Sequence, residues 1–200
     1  MIEADKDGEA EKSIEADKDG EAKKLIEADK DGEAKKMIEA GKSNNDVTLR
    51  FAEKADAVAI DIILSTYFLD RDGIPYERFR VAEKNGKIIG CAVFEKLETP
   101  AENEFFFEIH TIAVMPSYKG KGYGKKLLEQ MMSDIRSLPE WNESKEIYTR
   151  TTAPEFFIHE GFEKTDIDKK QRWSECVRCN KIEICSQTVL IKRWKKGSYF

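Results

Sequence analysis

From Val47 onward the chain shifts repeatedly between two hydrophobic periods. VTLRFA (47–52) alternates and predicts a strand. EKADAVAIDIILSTYF (53–68) predicts a helix with Ala55, Val58, Ile62 and Ile63 on its apolar side. RFRVAEKNGKIIGCAVFEKL (78–97) predicts a hairpin, because Asn85-Gly86 is the strongest short turn signal. NEFFFEIHTIAV (103–114) predicts a longer strand. The stretch from Gly122 to Ile135 predicts a helix burying Leu127, Leu128, Met131, Met132 and Ile135. EIYTRT (146–151) predicts a strand, Pro154 opens a short helix that Gly161 closes, and QTVLIKRW (187–194) predicts the last strand. The order β-α-β-β-β-α-β-α-β places the chain in the α/β (α+β) class, with a mixed central sheet flanked by helices.

The first 46 residues follow another rule. Ile2, Ile14, Ile26 and Ile38 head successive copies of a unit beginning IEADKDGEA, the last copy decayed. In one helix, twelve residues would turn successive isoleucines by about 120°, so no apolar face would form. The pattern predicts a solvated, flexible segment of short, fraying helices over 1–46, with a GKSNND linker from Gly41 to Asp46 and a folded domain over 47–200. Asp-Lys-Asp-Gly invites a calcium loop. With Gly8 at the sixth position, however, the twelfth falls on Ile14 where a bidentate Glu is needed. Since the repeats offer no apolar face, removing residues 1–44 is expected to leave the melting temperature of the domain nearly unchanged; a loss of several degrees would contradict that reading.

Charge sharpens the division. The repeats hold 15 acidic residues against 9 lysines in a chain of net charge −5, so the rest is near neutral. A near-neutral domain gives no electrostatic reason to expect nucleic acid or an anionic membrane as a partner. No apolar run approaches the ~20 residues that span a bilayer, and MIEADKDG lacks the apolar core of a secretion signal. Cytoplasmic residence is therefore expected, with the four cysteines as thiols or metal ligands.

The chemistry concentrates in AVMPSYKGKGYGKKLLEQMM (113–132). A P-loop would need Ser or Thr after Gly124-Lys125, where Lys126 stands, and neither glycine pair completes GxGxxG. What remains is a strand, Pro116, a turn, and glycines leading into a helix whose first amides have no internal partner. Glycines let an oxygen approach those amides closely, and Lys119, Lys121 and Lys125 add charge. The pattern suits a pyrophosphate.

VMPSYKGKGYGKKLL (114–128) resembles motif A of the GNAT acetyltransferases, Gln/Arg-x-x-Gly-x-Gly/Ala, with Lys119 at the first position. The resemblance runs over about 47–195 and implies the GNAT fold, with acetyl-CoA as co-substrate. It implies that Lys119, Gly120, Lys121, Gly122, Tyr123, Gly124 and Lys125 hold the pyrophosphate, and that Ile112, Ala113 and Val114 offer backbone groups to the pantetheine arm. Acetyl transfer needs a base for the amine and a donor for the oxyanion. Glu108, an acid in an apolar strand, is the candidate base and matches the family position; a strand glutamate facing water is the alternative. The oxyanion donor is expected to be a backbone N–H near Val114. His110 reads as a satisfied histidine or a second base. Phe157 stands where family members often have a Tyr acid, which leaves the general acid open.

YTRTTAPEFFIHEGFEK (148–164) and WSECVRCNKIEICSQTVLIK (173–192) resemble the short N-acetylglutamate synthase type. That resemblance implies the α-amine of L-glutamate as acceptor, in arginine synthesis. A dicarboxylate needs cations; Arg150 is the leading candidate, with Arg78 and Arg80 also available. In the insert 173–186, Cys176, Cys179 and Cys185 have the tight first spacing of a zinc knuckle, but three sulfurs do not close a tetrahedron, and the fourth ligand is Cys91, His159 or none. Cys91 also reads as a core thiol. The expected partner is a small-molecule amine, and a homodimer is left open. The alternatives are acetylation of another amine or a protein N-terminus, and a non-catalytic acyl-CoA-binding or interaction protein.

Overall fold

The computed structural model describes residues 47–100 and 104–194, with 167–169 as backbone only, and three short backbone stretches nearer the N-terminus. The chain divides into two compact units, Met1–Asp46 and Val47–Phe200. In the first, β1 (Ile14–Glu15), β2 (Lys24–Ala28) and β3 (Ala34–Lys36) form an antiparallel three-stranded sheet. Where the repeat backbone is described it is extended, in place of the fraying helices the sequence suggests. The remaining repeat residues and the predicted linker lie outside the described residues.

The second unit is built on a seven-stranded sheet. Its strands are β4 (Thr48–Phe51), β5 (Arg80–Lys84), β6 (Lys87–Glu98), β7 (Phe105–Val114), β8 (Glu146–Thr151), β9 (Glu163–Lys164) and β10 (Thr188–Arg193), in the order β4-β5-β6-β7-β8-β10-β9. All neighbours are antiparallel except β7 and β8. Asn85 (φ 51°) and Gly86 (φ 72°) make the tight turn between β5 and β6, as their dipeptide predicts. The parallel pair is joined through α2 (Tyr123–Ser137) and α3 (Trp141–Ser144).

Side chains alternate across the sheet and build three apolar clusters, one of them Phe106, Tyr148, Trp173, Val189 and Ile191, the other two beneath helices. On one face α2 presents Leu127, Leu128, Met131, Met132 and Ile135 to Ala82, Ala92, Phe107, Ile109 and Ile147, as its periodicity predicts. On the other, α1 (Ala57–Ser65) covers Val81, Cys91, Val93 and Ala113. Its buried side is Ile60, Ile63 and Leu64, while Ala55, Val58 and Ile62 are exposed. The segment is apolar almost all round, so periodicity alone could not choose its face.

Gly90 on β6 lies where the sheet meets α2. A Cβ there would stand 3.0 Å from the Ala113 carbonyl oxygen and 3.2 Å from both Leu127 and Val114 side-chain carbons. Gly90→Ala is therefore expected to destabilise the domain by about 1–3 kcal/mol, read as a lower denaturation midpoint.

Candidate active site

Two breaks in the sheet make the site. The first is between β7 and β8, whose ladder comprises only Phe107↔Ile147 and Glu108↔Tyr148. Past these pairs Thr149 Oγ1 donates to the Ile109 carbonyl at 3.0 Å, and the ladder ends. Such a parallel junction, at the carboxyl ends of its strands, is where open sheets bind ligands. On its other side β7 stays paired with β6. Met115 N–H donates to Ile89 O at 2.8 Å, so Val114↔Gly90 is a non-hydrogen-bonded pair. The N–H and C=O of Val114, and by alternation those of Ile112, therefore point away from β6 toward the open side.

The second break is a bulge. Val93 pairs with Thr111 but Phe94 with Ile109, which leaves His110 as the extra residue of β7. Glu108 and Ala113 consequently share one face although their numbers differ in parity. His110 is re-aimed beside Glu108.

Around these two residues the structure assembles a charged cluster. Glu108 is 2% exposed. Its Oε1 accepts from Arg150 Nε at 3.1 Å; its Oε2 has no hydrogen bond among the described residues, and His110 Nδ1 stands 3.5 Å from it. His110 Nε2 is 3.2 Å from Asp72, and Nδ1 is 3.9 Å from Glu95. Burial works against the imidazolium, but Glu108, Glu95 and Asp72 outweigh it and raise the His110 pKa above the ordinary histidine value. A raised folded-state pKa contributes stability that is complete below the unfolded value and lost as pH rises through the folded one. His110→Asn should thus lower the melting temperature more at pH 6 than at pH 9; an equal loss at both would contradict the cluster.

Arg150 lies two residues beyond the Glu108↔Tyr148 pair. It donates to Glu108, to Glu175 at 2.7 Å and to Cys176 Sγ at 3.2 Å, and its guanidinium lies 4.6 Å from the Trp173 ring centroid. The cation proposed for an acceptor carboxylate is thus already engaged by two carboxylates. Arg80, also offered by the sequence, is bound by Asp134 at 2.7 and 2.9 Å and ties β5 to α2. Arg78 is exposed and donates to Glu95 at 3.3 Å.

The glycine loop sits at the end of β7, as its sequence predicts. Gly120 (φ 74°) and Gly122 (φ 78°) are left-handed, and a Cβ on either would meet no atom of the described residues within 4 Å. Their conformation, not crowding, requires glycine, and the space beside them is open. Gly122 is the N-cap of α2, and no side chain caps the helix. The 15-residue helix therefore aims uncapped amides and its positive end at the loop. The lysines are less free than the sequence suggests. Lys119 lies 4.4 Å from the Tyr67 ring centroid, Lys121 donates to Ser117 O, and Lys125 is 3.3 Å from Glu160. Tyr123 turns inward, its hydroxyl accepting from Lys84 at 3.0 Å, so only its backbone belongs to the loop. Open amides, open space and an open strand edge fit a diphosphate with an extended, amide-bearing arm.

The cysteines do not gather as a zinc set. Cys176 turns to Arg150, Cys179 is exposed, and among the described residues no three His, Cys, Asp or Glu side chains are grouped to hold a metal. The His159 side chain is 86% exposed. Cys91 is a core thiol whose pKa burial pushes up to about 12. Phe157, in α4 (Pro154–His159), packs edge-on against Phe156 and Phe162 and has no proton to give. Asp72, Glu95, Trp173 and Glu175 escaped sequence reasoning; Asp72 reaches the site from the loop after α1, Glu95 from β6, and Trp173 and Glu175 from the start of the short helix Ser174–Val177, placements that no local pattern specifies.

Residues 75–164 match the family model of the acetyltransferase (GNAT) domain. An uncharacterized N-acetyltransferase of Chlorobaculum tepidum is 25% identical over 160 residues, 74% of this chain and 96% of that one. An L-methionine sulfoximine/L-methionine sulfone acetyltransferase of Salmonella typhimurium is 29% identical over 110 residues, 45% of this chain and 64% of that one. Among solved structures, N-acetylglutamate synthase of Neisseria gonorrhoeae, complexed with coenzyme A and N-acetyl-glutamate, superposes with a TM-score of 0.59 at 21% identity. That alignment covers 76% of this chain and 36% of the synthase, so the chain spans about a third of its length.

Proposed function

The chain belongs to the GNAT superfamily, and from that premise we propose that it transfers the acetyl group of acetyl-CoA to a small-molecule amine, with the α-amine of L-glutamate as acceptor. The observation that carries the cofactor half is the open edge of β7 at Ile112 and Val114, running directly into the left-handed glycines and uncapped amides of α2. Acetyl-CoA supplies an activated thioester. Val114 N–H faces the open side and is the donor offered to the developing oxyanion. The loop from Lys119 to Lys125 binds the diphosphate.

Glu108 is the base in this reading. Its unpartnered Oε2 is the proton acceptor for the amine, and Arg150 fixes the carboxylate through Oε1. His110, between Glu108 and the exposed Asp72, gives the proton a route outward. With Phe157 in the core, the leaving thiolate is protonated by water or another side chain. Cytoplasmic residence, a place in arginine synthesis and a homodimer belong to the same proposal. Among the described residues no helix is long and apolar enough to cross a membrane.

Glutamate is supported by the likeness to the synthase fold and by Arg150. A second reading, a neutral amino acid, is favoured by one observation: Arg150 already donates to Glu108, Glu175 and Cys176. Initial rates with glutamate, glutamine and methionine sulfone separate the two. A dicarboxylate site should prefer glutamate over glutamine by at least tenfold, because the amide leaves a buried cation unpaired, and Arg150→Ala should erase that preference. Equal rates would leave the neutral acceptor.

A further inference from the structure

We infer that Tyr67 is a further residue of the cofactor site, a built-in donor that holds the Val114 carbonyl until the amide-bearing arm of coenzyme A displaces it. The Tyr67 hydroxyl donates to Val114 O across 47 residues of sequence. That carbonyl faces the open side of β7, where an extended ligand with amide N–H groups would pair as an added strand does.

The position of Tyr67 follows from how α1 ends. Leu69 N–H returns to Leu64 O and Phe68 N–H to Ser65 O, the crossed pair of bonds that closes a helix with a left-handed residue. That residue is Phe68, at φ 55°, where glycine is the usual choice, and its side chain is 99% exposed. A bulky residue held there is a strained backbone position. It halts the helix so that Tyr67, half-buried against the α1 core, points across to β7. Asp72, also left-handed at φ 50°, makes a second contact from the same loop to β7, at His110. Lys119, first of the loop lysines, rests on the Tyr67 ring and links this contact to the diphosphate loop.

The inference rests on the acetyl-CoA reading, and calorimetric titration can separate the two. Wild type and Tyr67→Phe would each be titrated with coenzyme A and with adenosine 3′,5′-diphosphate, which lacks the arm. The Phe variant keeps the ring beneath Lys119 and removes only the hydroxyl. Without the competing hydrogen bond it should bind coenzyme A about threefold to tenfold more tightly, with unchanged affinity for the adenosine diphosphate. Equal or weaker binding of coenzyme A overturns the inference, as does equal tightening toward both ligands, which would report a general loosening of the loop. If wild type binds no coenzyme A, the cofactor reading itself fails and takes this inference with it.

Discussion

Glu108→Gln should lower turnover by about 10²-fold or more while acetyl-CoA binding persists. The substitution keeps the shape and keeps an oxygen for Arg150 Nε, so the β7/β8 junction stays built. It removes the charge from Oε2, the one buried carboxylate oxygen with no hydrogen bond among the described residues. The loop proposed to hold coenzyme A begins eleven residues later in the chain, so binding and chemistry should separate cleanly. The measurement is kcat at saturating acetyl-CoA beside a binding titration. Activity within threefold of wild type would move the base elsewhere, with His110 first in line.

Gly122→Val should abolish acetyl-CoA binding with a folded domain remaining. At φ 78° a β-branched residue is a conformational outlier costing about 1–3 kcal/mol, so the N-cap of α2 must rearrange. Among the described residues no atom lies within 4 Å of the added Cβ, hence the core is not crowded. The new side chain projects into the open space beside the uncapped amides. Wild type should show a rise in melting temperature with saturating acetyl-CoA, as binding to the folded state alone requires; the variant should show none. An undiminished shift in the variant would place the diphosphate elsewhere.

How far the sequence carries depends on whether a feature is local. Asn85-Gly86 specifies its own turn, and the α2 stripe of Leu127, Leu128, Met131, Met132 and Ile135 specifies its own face. The glycines of KGKGYG permit the left-handed backbone found at Gly120 and Gly122. By contrast, α1 is apolar almost all round, so periodicity does not distinguish Val58 and Ile62 from Ile60 and Leu64, and the sheet chooses among them. The site cluster is the extreme case. Glu108 and Arg150 meet because β7 and β8 pair at Glu108↔Tyr148, a register that no turn between them fixes. His110 joins them through a bulge, and Asp72 arrives from a loop after α1. The pairing of Arg150 with Glu108 and Glu175 could not be read from residue types alone, and it changes what Arg150 has left to offer a substrate. The cysteine spacing of the insert suggested zinc, yet one thiol is spent on Arg150 and another faces solvent.

The most direct test of the account is whether purified protein releases free thiol from acetyl-CoA when an amine is added, measured across a panel of amino acids with glutamate included. Wild type should show amine-dependent release, with the acetylated amine identified by mass, and Gly122→Val should show none. Acetyl-CoA binding with no thiol release for any amine would contradict it, and would leave a protein that holds an acyl-CoA without transferring its acyl group.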